Sequence, residues 1–531
     1  MVGFLPPAAP SRPLSRGFDV ILAPTLGALQ TLSYVYTEAW WLQMLCIGLL
    51  GWRAAVVTPR RAAALGWCFG TAWLAVGTWW LFISMHRYGG LPAWMAAAAV
   101  LALSGFLSLY LSLAMLLFAR WRRGRVAADA LLFAALWLLA ELARGVIFTG
   151  FPWVAAGYAH VDGPLAAAAP WIGVYGIGAL AAGLSAGVSF SLLQQRRRWL
   201  GAAEALAAIG LGAALSAIGP QFTRPTGTLT VTLLQGNIPQ EQKFQAEHQG
   251  PALQWHVETM LQAQSDLVIA PETAVPFLPQ QMPEDFWPSL RARFASGRTH
   301  ALFGVPMGNE QAGYTNSAVG FAPGREGEYH YDKHHLVPFG EYVPLRHSFP
   351  LFAKIAGDQV PEDFDVGDEF TVFQLSKNHG RVASLICFED TIGELTRQFV
   401  LRGADFLANV TNDGWFLRSA GSRQHLANAV FRCVDTRRAM VRAANTGVTC
   451  FINQFGRVTE MLRDDQGSIF EEGTLIGDVN IPIEPALTFY ARHGDLFAKI
   501  CAVATIVIAV RKIVQALRVG VKRKKMVDRS A

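Results

Sequence analysis

Long apolar runs fill the first 219 residues of the chain and recur near its C-terminal end. A helix needs about 20 mostly apolar residues to cross the hydrocarbon core of a bilayer. The pattern therefore predicts a polytopic α-helical membrane protein with about eight spans, seven before a long polar region and one after it. The predicted spans cover residues 18–36, 40–57, 62–83, 92–118, 127–148, 164–193, 199–218 and 495–514.

The first and last spans raise separate questions. No short apolar stretch at the N-terminus ends in a small-residue cleavage site, and six more spans follow, so we interpret the first span as an uncleaved helix rather than a signal peptide. The last span is the weakest, because Lys499, Arg511 and Lys512 would have to extend toward the lipid headgroups.

The polar region between these spans has the pattern of a mixed α/β domain. Short β-rich apolar runs are bounded by Gly, Pro, Asn or Asp and alternate with helix-like stretches, which favours an α/β core over a β-sandwich. The predicted strands include residues 229–234, 267–270, 301–305, 382–387, 406–410 and 448–453, and the predicted helices include 251–264 and 424–444.

Composition agrees with a membrane protein. Hydrophobic residues make up 52% of the chain and charged residues only 16%, whereas a typical soluble domain has about 25% charged residues. This balance excludes a disordered chain and argues against a wholly soluble one. Six cysteines are too few for a disulfide scaffold.

Charge is divided unevenly along the chain. Residues 221–490 contain 31 acidic and 21 basic residues, and the remainder contains 8 acidic and 24 basic ones. The basic residues stand in short clusters between apolar runs, which argues against a nucleic-acid-binding surface. Because a basic cluster lies in every second loop, the positive-inside rule places these loops in the cytoplasm and the polar region outside it.

Three reactive residues stand at the ends of predicted strands in the polar region: Glu272, Lys333 and Cys387. Each has an ordinary interpretation when taken alone, as a helix cap, a solvated loop charge and an inert buried thiol. Together they form a complete acyl-transfer set. A carboxylate can take the proton of a thiol, the thiolate can attack a carbonyl, and an ammonium can stabilise the resulting oxyanion.

These residues carry a family resemblance. The polar region resembles the nitrilase superfamily, in which Glu, Lys and Cys occur in this order, and Ile386-Cys-Phe-Glu389 is similar to the nucleophile segment of that superfamily. The whole chain resembles its membrane-embedded bacterial members that acylate lipoproteins. Further matching motifs lie at residues 149–153, 235–240, 335–344, 411–416 and 490–492.

The resemblance implies a fold and a division of the chain. It implies a seven-span transmembrane domain at 1–219, an inserted nitrilase-like αββα sandwich with catalytic function at 220–489, and a C-terminal transmembrane helix with a basic cytoplasmic tail at 490–531. It places the protein in the bacterial inner membrane, with the catalytic domain on the periplasmic side. We expect a monomer.

Roles for individual residues follow from the same resemblance. It implies Glu272 as general base, Lys333 as transition-state stabiliser and Cys387 as nucleophile. Two further acids, Glu341 and Glu389, match acids that the family keeps around the site, although a solvated loop acid and a helix N-terminal acid are the ordinary interpretations.

Four aromatic residues are candidates for lipid contact. Trp415 and Phe416 line an acyl-chain pocket, touch the bilayer or pack in the core, and the segment from Phe339 to Tyr342 is a candidate cover for the thioester.

The sequence departs from the family pattern at three positions. Phe388 stands where Tyr is frequent, Phe244 where Trp is common, and Gly414 where Ala is frequent. These changes keep the apolar or small character of each position. They affect the details of lipid contact rather than the chemistry, and a phenolic hydrogen bond at position 388 cannot be essential in this chain.

The implied reaction moves a fatty acyl chain from a membrane phospholipid to the N-terminal amine of S-diacylglyceryl-cysteine in an apolipoprotein, through a thioester on Cys387. Two other interpretations remain open. The first is a membrane-tethered nitrilase-type amidase that transfers its acyl group to water. The second is a transporter or receptor with an outer ligand domain, in which the Glu, Lys and Cys set is coincidental.

Other features of the sequence point to structure rather than chemistry. No Cys/His spacing resembles a zinc site and no phosphate-binding Walker pattern occurs, so we expect no metal and no cofactor. Cys433 and Cys450 could pair in an oxidising compartment, although sequence does not test the geometry. Glu141 and Arg144, one helical turn apart near an outer membrane end, are expected to form a structural ion pair.

Overall fold

The structure is a computed structural model that describes residues 16–193, 225–344, 363–375, 380–482 and 486–511, together with positions 199, 203, 206, 207, 210, 212–214, 222, 346 and 514. Most of the predicted seventh span, 199–218, lies outside the described residues. The predicted last span is helical over 496–511.

A helical part precedes the polar region, and it contains one long helix for each of the first six predicted spans. These helices are α1 (Arg16–Leu29), α2 (Trp40–Ala54), α3 (Pro59–Gly77), α4 (Ala93–Trp121), α5 (Val126–Val146) and α6 (Ala169–Leu193).

Only some of these helices are long and apolar enough to cross a bilayer. Three described segments meet that requirement, Ala93–Trp121, Val126–Thr149 and Pro164–Leu193, and α3 with the helical segment Trp80–Tyr88 forms a fourth if the bent pair is one span. Helices α1 and α2 have 14 and 15 residues, fewer than the ~20 that a straight crossing requires. The structure therefore supports membrane helices, and the number eight stays a prediction.

The predicted span 62–83 is not one straight helix. Helix α3 ends at Gly77, and Trp80–Tyr88 continues at an angle of 53°. The Thr78 hydroxyl donates to the Leu74 carbonyl at 2.7 Å, and such bonds to the preceding turn bend helices. The bend directs Trp80–Tyr88 toward the polar region of the chain.

The described residues of the polar region form two six-stranded mixed sheets. The first has the order β12-β1-β2-β3-β4-β5 and the second β11-β10-β9-β8-β7-β6. All six predicted strands are confirmed, since they overlap β1, β2, β3, β7, β8 and β10. The strands are β1 (Pro225–Gln235), β2 (Leu267–Ile269), β3 (His300–Asn309), β4 (Gly313–Phe321), β5 (Tyr329–Asp332), β6 (Val372–Gln374), β7 (Arg381–Ile386), β8 (Phe406–Thr411), β9 (Met440–Ala444), β10 (Cys450–Ile452), β11 (Val458–Met461) and β12 (Gly473–Pro482).

Helices cover the outer faces of the two sheets. Side chains alternate across a strand, so Leu233 of β1 belongs to the core that also contains Leu385 of the second sheet, whereas its neighbour Leu234 packs in a separate core with Trp287 of α8. The arrangement is helix, sheet, sheet, helix, which fits the expected αββα sandwich. The helices of this region are α7 (Ala246–Gln262), α8 (Phe286–Ala295), α9 (Gly393–Leu401), α10 (Gly421–Thr436) and α11 (Phe489–His493).

The predicted helix 424–444 is wrong in its second half. Helix α10 ends at Thr436, and Arg437 follows in the left-handed region with a φ of 55°. Residues 440–444 form β9 instead, which pairs in parallel with β8 from Leu407 to Thr411. A left-handed residue ends a helix, and the apolar residues after it complete the second sheet.

Candidate active site

The structure brings the three predicted reactive residues together from both sheets. Glu272 follows β2, Lys333 follows β5 in the same sheet, and Cys387 follows β7 in the other sheet. Lys333 Nζ lies 3.6 Å from Glu272 Oε1. Cys387 is close enough to both that each of their charges acts on the pKa of its thiol. The three side chains therefore share one site between the two sheets.

Cys387 occupies an unusual backbone position. It is half-buried, it follows directly on β7, and its φ is 52°. A non-glycine residue with positive φ is strained, and such strain concentrates at functional sites. The Cys387 carbonyl accepts a hydrogen bond from Asn409 Nδ2 at 3.0 Å. This bond to the neighbouring strand β8 helps to hold the turn in place.

The environment of Cys387 keeps its thiol protonated. The pKa of the Cys387 thiol is raised to about 12, mainly by burial and also by Glu272, and Lys333 opposes the rise. A neutral thiol is a weak nucleophile. A reaction at this sulfur would therefore need a base to take its proton, and Glu272 is a carboxylate close enough to act on the pKa of the thiol.

A network of polar side chains holds Glu272, Lys333 and Glu341 together. Lys333 Nζ donates to Glu341 Oε1 at 2.8 Å. Asn316 Nδ2 donates to Glu272 Oε1 and to Glu341 Oε1, each at 2.8 Å. All four side chains are buried, and Lys333 is only 1% exposed. Burial lowers the pKa of Lys333, but the adjacent carboxylates of Glu341 and Glu272 outweigh it and raise the pKa overall. Lys333 is therefore a charged ammonium.

The backbone at Glu272 is fixed by close packing. Thr273 has a φ of 52°. Strand β3 passes so near that a Cβ on Gly304 would lie 2.5 Å from Thr273 N and 2.6 Å from Glu272 Cα. Only glycine fits at position 304, and the close approach holds the turn that carries Glu272.

Glu389 joins the cysteine turn to the lysine segment. Its Oε2 accepts a hydrogen bond from Ile386 N at 2.8 Å. Its Oε1 accepts from Tyr331 Oη at 2.8 Å and from His334 N at 2.7 Å. Burial raises the pKa of Glu389 to about 7, although these donors oppose the rise. Glu389 is therefore a helix N-terminal acid, because its bond to Ile386 N caps the short helix that begins at Cys387. It also connects the cysteine turn to the segment that carries Lys333.

A buried ionic cluster lies behind Cys387. Arg442 contacts Asp390 at 3.1 Å and Asp413 at 2.8 Å. His425 lies between the same two carboxylates, 3.0 Å from Asp390 and 2.9 Å from Asp413. All four residues are buried. His425 Nε2 also lies 3.3 Å from the Cys387 carbonyl oxygen. The cluster therefore contacts the backbone of the turn that carries the thiol.

Several of these residues were missed at the level of sequence. Asn316 and the four members of the ionic cluster match no catalytic spacing, and Asp413 was noted only as part of the motif 411–416. Each of them acts through contacts between segments distant in sequence, and local patterns do not report such contacts.

The four lipid-contact candidates occupy different environments. Phe416 is 5% exposed and packs on Trp80 with ring centroids 4.7 Å apart, which favours the core interpretation. Trp415 is half-buried and makes an edge contact with Tyr88 at 5.6 Å. Phe339 is 45% exposed, and its backbone N–H donates to the carbonyl of the half-buried Tyr342 at 2.7 Å.

A loop of the helical part reaches the cysteine turn. Glu141 and Arg144 form a buried ion pair at 3.2 Å, in agreement with the structural interpretation. Arg144 Nη1 donates to the carbonyl of Trp153 at 2.7 Å. The Trp153 ring stacks on Phe388 at 6.0 Å with an interplanar angle of 4°. The buried pair therefore orients an aromatic contact with the residue that follows Cys387.

Two further features concern cysteines and metals. Cys433 and Cys450 are both free buried thiols in the structure. Among the described residues, no group of three or more His, Cys, Asp or Glu side chains is arranged to hold a metal ion.

Comparison with known families gives two adjacent matches. Residues 26–187 match the family described as apolipoprotein N-acyltransferase N-terminal domain. Residues 230–482 match the family described as carbon-nitrogen hydrolase. The boundary between the two matches falls between the helical part and the sandwich.

Curated relatives are similar over most of the chain. An apolipoprotein N-acyltransferase of Ralstonia nicotianae is 40% identical over 499 residues, which cover 91% of each chain. One of Verminephrobacter eiseniae is 44% identical over 449 residues, which cover 80% of this chain and 82% of the relative. Among solved structures, the glutamine-dependent NAD+ synthetase of Acinetobacter baumannii aligns with a TM-score of 0.36 and 16% identity, covering 50% of this chain and 49% of its own.

Proposed function

Because this chain belongs to the apolipoprotein N-acyltransferase family, we propose that it transfers a fatty acyl chain from a membrane phospholipid to the N-terminal amine of S-diacylglyceryl-cysteine in an apolipoprotein. The transfer proceeds by a ping-pong mechanism through a thioester on Cys387. The observation that carries the proposal is the convergence of Glu272, Lys333 and Cys387 at one site.

In the first half-reaction Glu272 accepts the Cys387 proton as the sulfur attacks an ester carbonyl carbon of the phospholipid. The carbonyl electrons move to oxygen, and the Lys333 ammonium stabilises that oxyanion. When the carbonyl re-forms, the carbon–oxygen ester bond breaks and the lysophospholipid alkoxide takes the proton from Glu272. A thioester remains on Cys387, and Glu272 is again ionised.

In the second half-reaction the amine of the lipoprotein cysteine attacks the thioester carbonyl. Glu272 accepts a proton from the attacking nitrogen, and Lys333 again faces the oxyanion. Collapse of the intermediate breaks the carbon–sulfur bond, and the departing thiolate recovers the proton from Glu272. The product is an amide, and the enzyme returns to its starting state.

We place Glu341 and Glu389 outside the reacting set, as residues that position it. Glu341 shares Asn316 with Glu272 and binds Lys333 directly. Glu389 connects the backbone at Ile386 to the backbone at His334. Both therefore support the geometry of the cysteine and the lysine without touching the substrate.

The membrane location gives the reaction a physical advantage. Both substrates carry fatty chains, and moving such a chain into water costs about 0.8 kcal/mol per CH₂. We place the sandwich on the periplasmic side of the bacterial inner membrane, anchored by eight spans, so that both substrates reach the site by lateral diffusion. We assign the segment from Phe339 to Tyr342 as a cover that limits hydrolysis of the thioester, and Trp415 as a lipid contact.

The products of one assay test this function. Purified protein is incubated with a defined phospholipid and a synthetic diacylated lipopeptide, and products are identified by mass. The proposal predicts triacylated lipopeptide and lysophospholipid in equal amounts. Free fatty acid without lipopeptide amide would indicate the amidase instead. Family membership sets aside the transporter interpretation, in which the reactive set is coincidental.

A further inference from the structure

Lys243 is a buried lysine that the proposed reaction does not use. It lies in the turn before α7, and the residue is 4% exposed. Its Nζ donates to the backbone carbonyl of Glu272 at 2.8 Å. Lysine is rarely buried without a specific partner. Lys243 therefore places a buried amine beside Glu272, the proposed general base.

The charge of Lys243 acts on the reacting groups rather than on a dedicated partner. Lys333 has Glu341 at 2.8 Å and Glu272 at 3.6 Å, whereas Lys243 binds a neutral carbonyl. The charged or titratable groups that interact with Lys243 are Glu272, Cys387 and His256. Burial lowers the pKa of Lys243 to about 8, and Glu272 and Cys387 oppose the decrease. A substantial fraction of Lys243 is therefore charged at neutral pH.

A count of charges shows what a second cation contributes. Glu272 and Glu341 bring two negative charges to the site, and Lys333 brings one positive charge. With Lys243 charged, the set made of these three groups, Lys243 and the intact Cys387 thiol carries no net charge. It remains neutral when the proton moves from sulfur to Glu272, and also when the electrons move onward to the carbonyl oxygen. Without Lys243 the same water-poor site carries an excess negative charge at each of these stages, which opposes the formation of an oxyanion.

We propose that Lys243 is a second cation of this acyl-transfer site: it holds the Glu272 carbonyl and balances the negative charge that passes from Glu272 to the Cys387 sulfur and then to the substrate oxygen. Lys243 is a positioning residue that acts through Glu272 and Cys387. This inference rests on the proposed function for its substrate, but the charge of the site can be measured without any lipid.

Two substitutions separate the charge from the hydrogen bond. Lys243→Gln keeps a donor for the Glu272 carbonyl and removes the charge, whereas Lys243→Arg keeps the charge. Lys499→Gln makes the same chemical change at an exposed lysine of the helix over 496–511 and serves as the matched control. Thermal unfolding of each purified protein establishes that it is folded.

The first readout is the alkylation of Cys387 by iodoacetate, which is anionic, and by iodoacetamide, which is neutral. If Lys243 supplies positive charge, Lys243→Gln reacts more slowly with both reagents, and the rate ratio of iodoacetate to iodoacetamide falls several-fold. Lys243→Arg and Lys499→Gln keep the wild-type ratio. A residue that only holds the carbonyl would leave the ratio of Lys243→Gln unchanged, and that result overturns the proposal.

The second readout is the rate at which one phospholipid acyl chain is added to Cys387 in a single turnover. We expect a fall of roughly 10- to 100-fold in Lys243→Gln and a rate close to wild type in Lys243→Arg. The expected loss is smaller than the roughly 100- to 1,000-fold that follows removal of a direct oxyanion donor, because Lys243 acts through Glu272 and Cys387. An equal rate in Lys243→Gln and wild type overturns the proposal.

The two readouts distinguish the possible failures. If the wild type takes up no acyl chain at Cys387, the proposed function fails, while the alkylation ratio still reports on Lys243. If Lys243→Gln does not fold, Lys243→Met, another neutral side chain of similar length, replaces it in both measurements. A reagent ratio that falls in Lys243→Met supports the role of charge, and a wild-type ratio in that variant contradicts it.

Discussion

Tyr331 donates its hydroxyl hydrogen to Glu389 Oε1 across 2.8 Å, and this bond crosses from one sheet of the sandwich to the other. Tyr331 lies in β5, two residues before Lys333, and Glu389 lies two residues after Cys387. The contact between Tyr331 and Glu389 therefore helps to fix the distance between Lys333 and Cys387. Positioning of this kind is how a site keeps reacting groups in place before substrate arrives.

Glu389→Gln tests this connection. The Glu389 carboxyl accepts hydrogen bonds from Ile386 N on one oxygen and from Tyr331 Oη and His334 N on the other. An amide has one accepting oxygen, so its NH₂ group must face a donor. A buried group left unsatisfied costs about 1–3 kcal/mol, and we expect acyl-enzyme formation to fall by roughly 10- to 100-fold.

The control for this substitution is Glu310→Gln, in the exposed turn between β3 and β4. It should acylate at the wild-type rate in the same single-turnover measurement. A Glu389→Gln protein as fast as this control would show that the connection between the two sheets has no part in the reaction.

Asn316→Asp tests the donor shared by the two acids. Asn316 Nδ2 donates to Glu272 Oε1 and Glu341 Oε1, and the substitution replaces this donor by a third carboxyl group. Adjacent carboxylates disfavour one another's ionisation, so one of the three retains a proton and the lysine loses its ordered partners. We expect a fall of about tenfold or more in the rate of Cys387 acylation.

Asn309→Asp is the matched control for that change. It is the exposed last residue of β3, and its side-chain oxygen accepts hydrogen bonds from Gln311 N and Ala312 N. A carboxylate can accept the same bonds, so the rate should be unchanged. Equal rates in the two variants would mean that the shared donor is dispensable.

Cys387→Ser tests the need for sulfur. Burial already raises the pKa of the Cys387 thiol to about 12, and an alcohol in the same position is a far weaker acid for a carboxylate base. We expect lipopeptide acylation to fall below detection, with thermal unfolding close to that of the wild type. Cys501→Ser, in the helix over 496–511, should remain active. Substantial transfer by Cys387→Ser would contradict the thioester mechanism.

His425→Gln tests the buried ionic cluster through pH. Burial and Arg442 lower the pKa of His425, but Asp390 and Asp413 outweigh them and raise it overall. A histidine with a raised pKa in the folded state contributes its full stabilisation below about pH 6.5, the unfolded value, and loses it as the pH rises through the folded pKa. The difference in unfolding temperature between wild type and variant should be largest at pH 6 and should shrink as the pH rises toward 9.

The measurement is thermal unfolding of the detergent-solubilised protein across that range. His493→Gln, an exposed histidine of α11, should follow the wild type at every pH. A difference for His425→Gln that is constant or grows with pH would contradict the assigned charge state.

Much of the sandwich could be predicted because its strands are short, apolar and clearly bounded. The same clear bounds make the strand ends at Glu272, Lys333 and Cys387 recognisable. The three residue types then indicate acyl-transfer chemistry. The second half of the predicted helix 424–444 was wrong because Met440 and Val441 continue an apolar pattern that suits either a helix or a buried strand. Arg437, with a φ of 55°, separates α10 from β9. Its residue type does not predict this, because positive φ is uncommon for any residue other than glycine.

The supporting residues could not be predicted because their roles exist only in the folded chain. Lys243 reaches Glu272 across 29 positions of sequence and Asn316 across 44. Gly304 matters only because β3 approaches the turn at Thr273. The bend after Gly77 could not be predicted because the apolar run continues through it. Hydropathy reports the length of an apolar run and not the angle between two helices within it.

The intact mass of the purified wild-type protein after incubation with a single defined phospholipid, without acceptor, tests the central claim most directly. The account predicts one added fatty acyl chain, located on Cys387 by peptide mapping, released by hydroxylamine and removed when diacylated lipopeptide is added. The same incubation should leave Cys387→Ala unmodified. An unmodified wild-type protein that nevertheless produces triacylated lipopeptide, or an acyl chain on another residue, would contradict it.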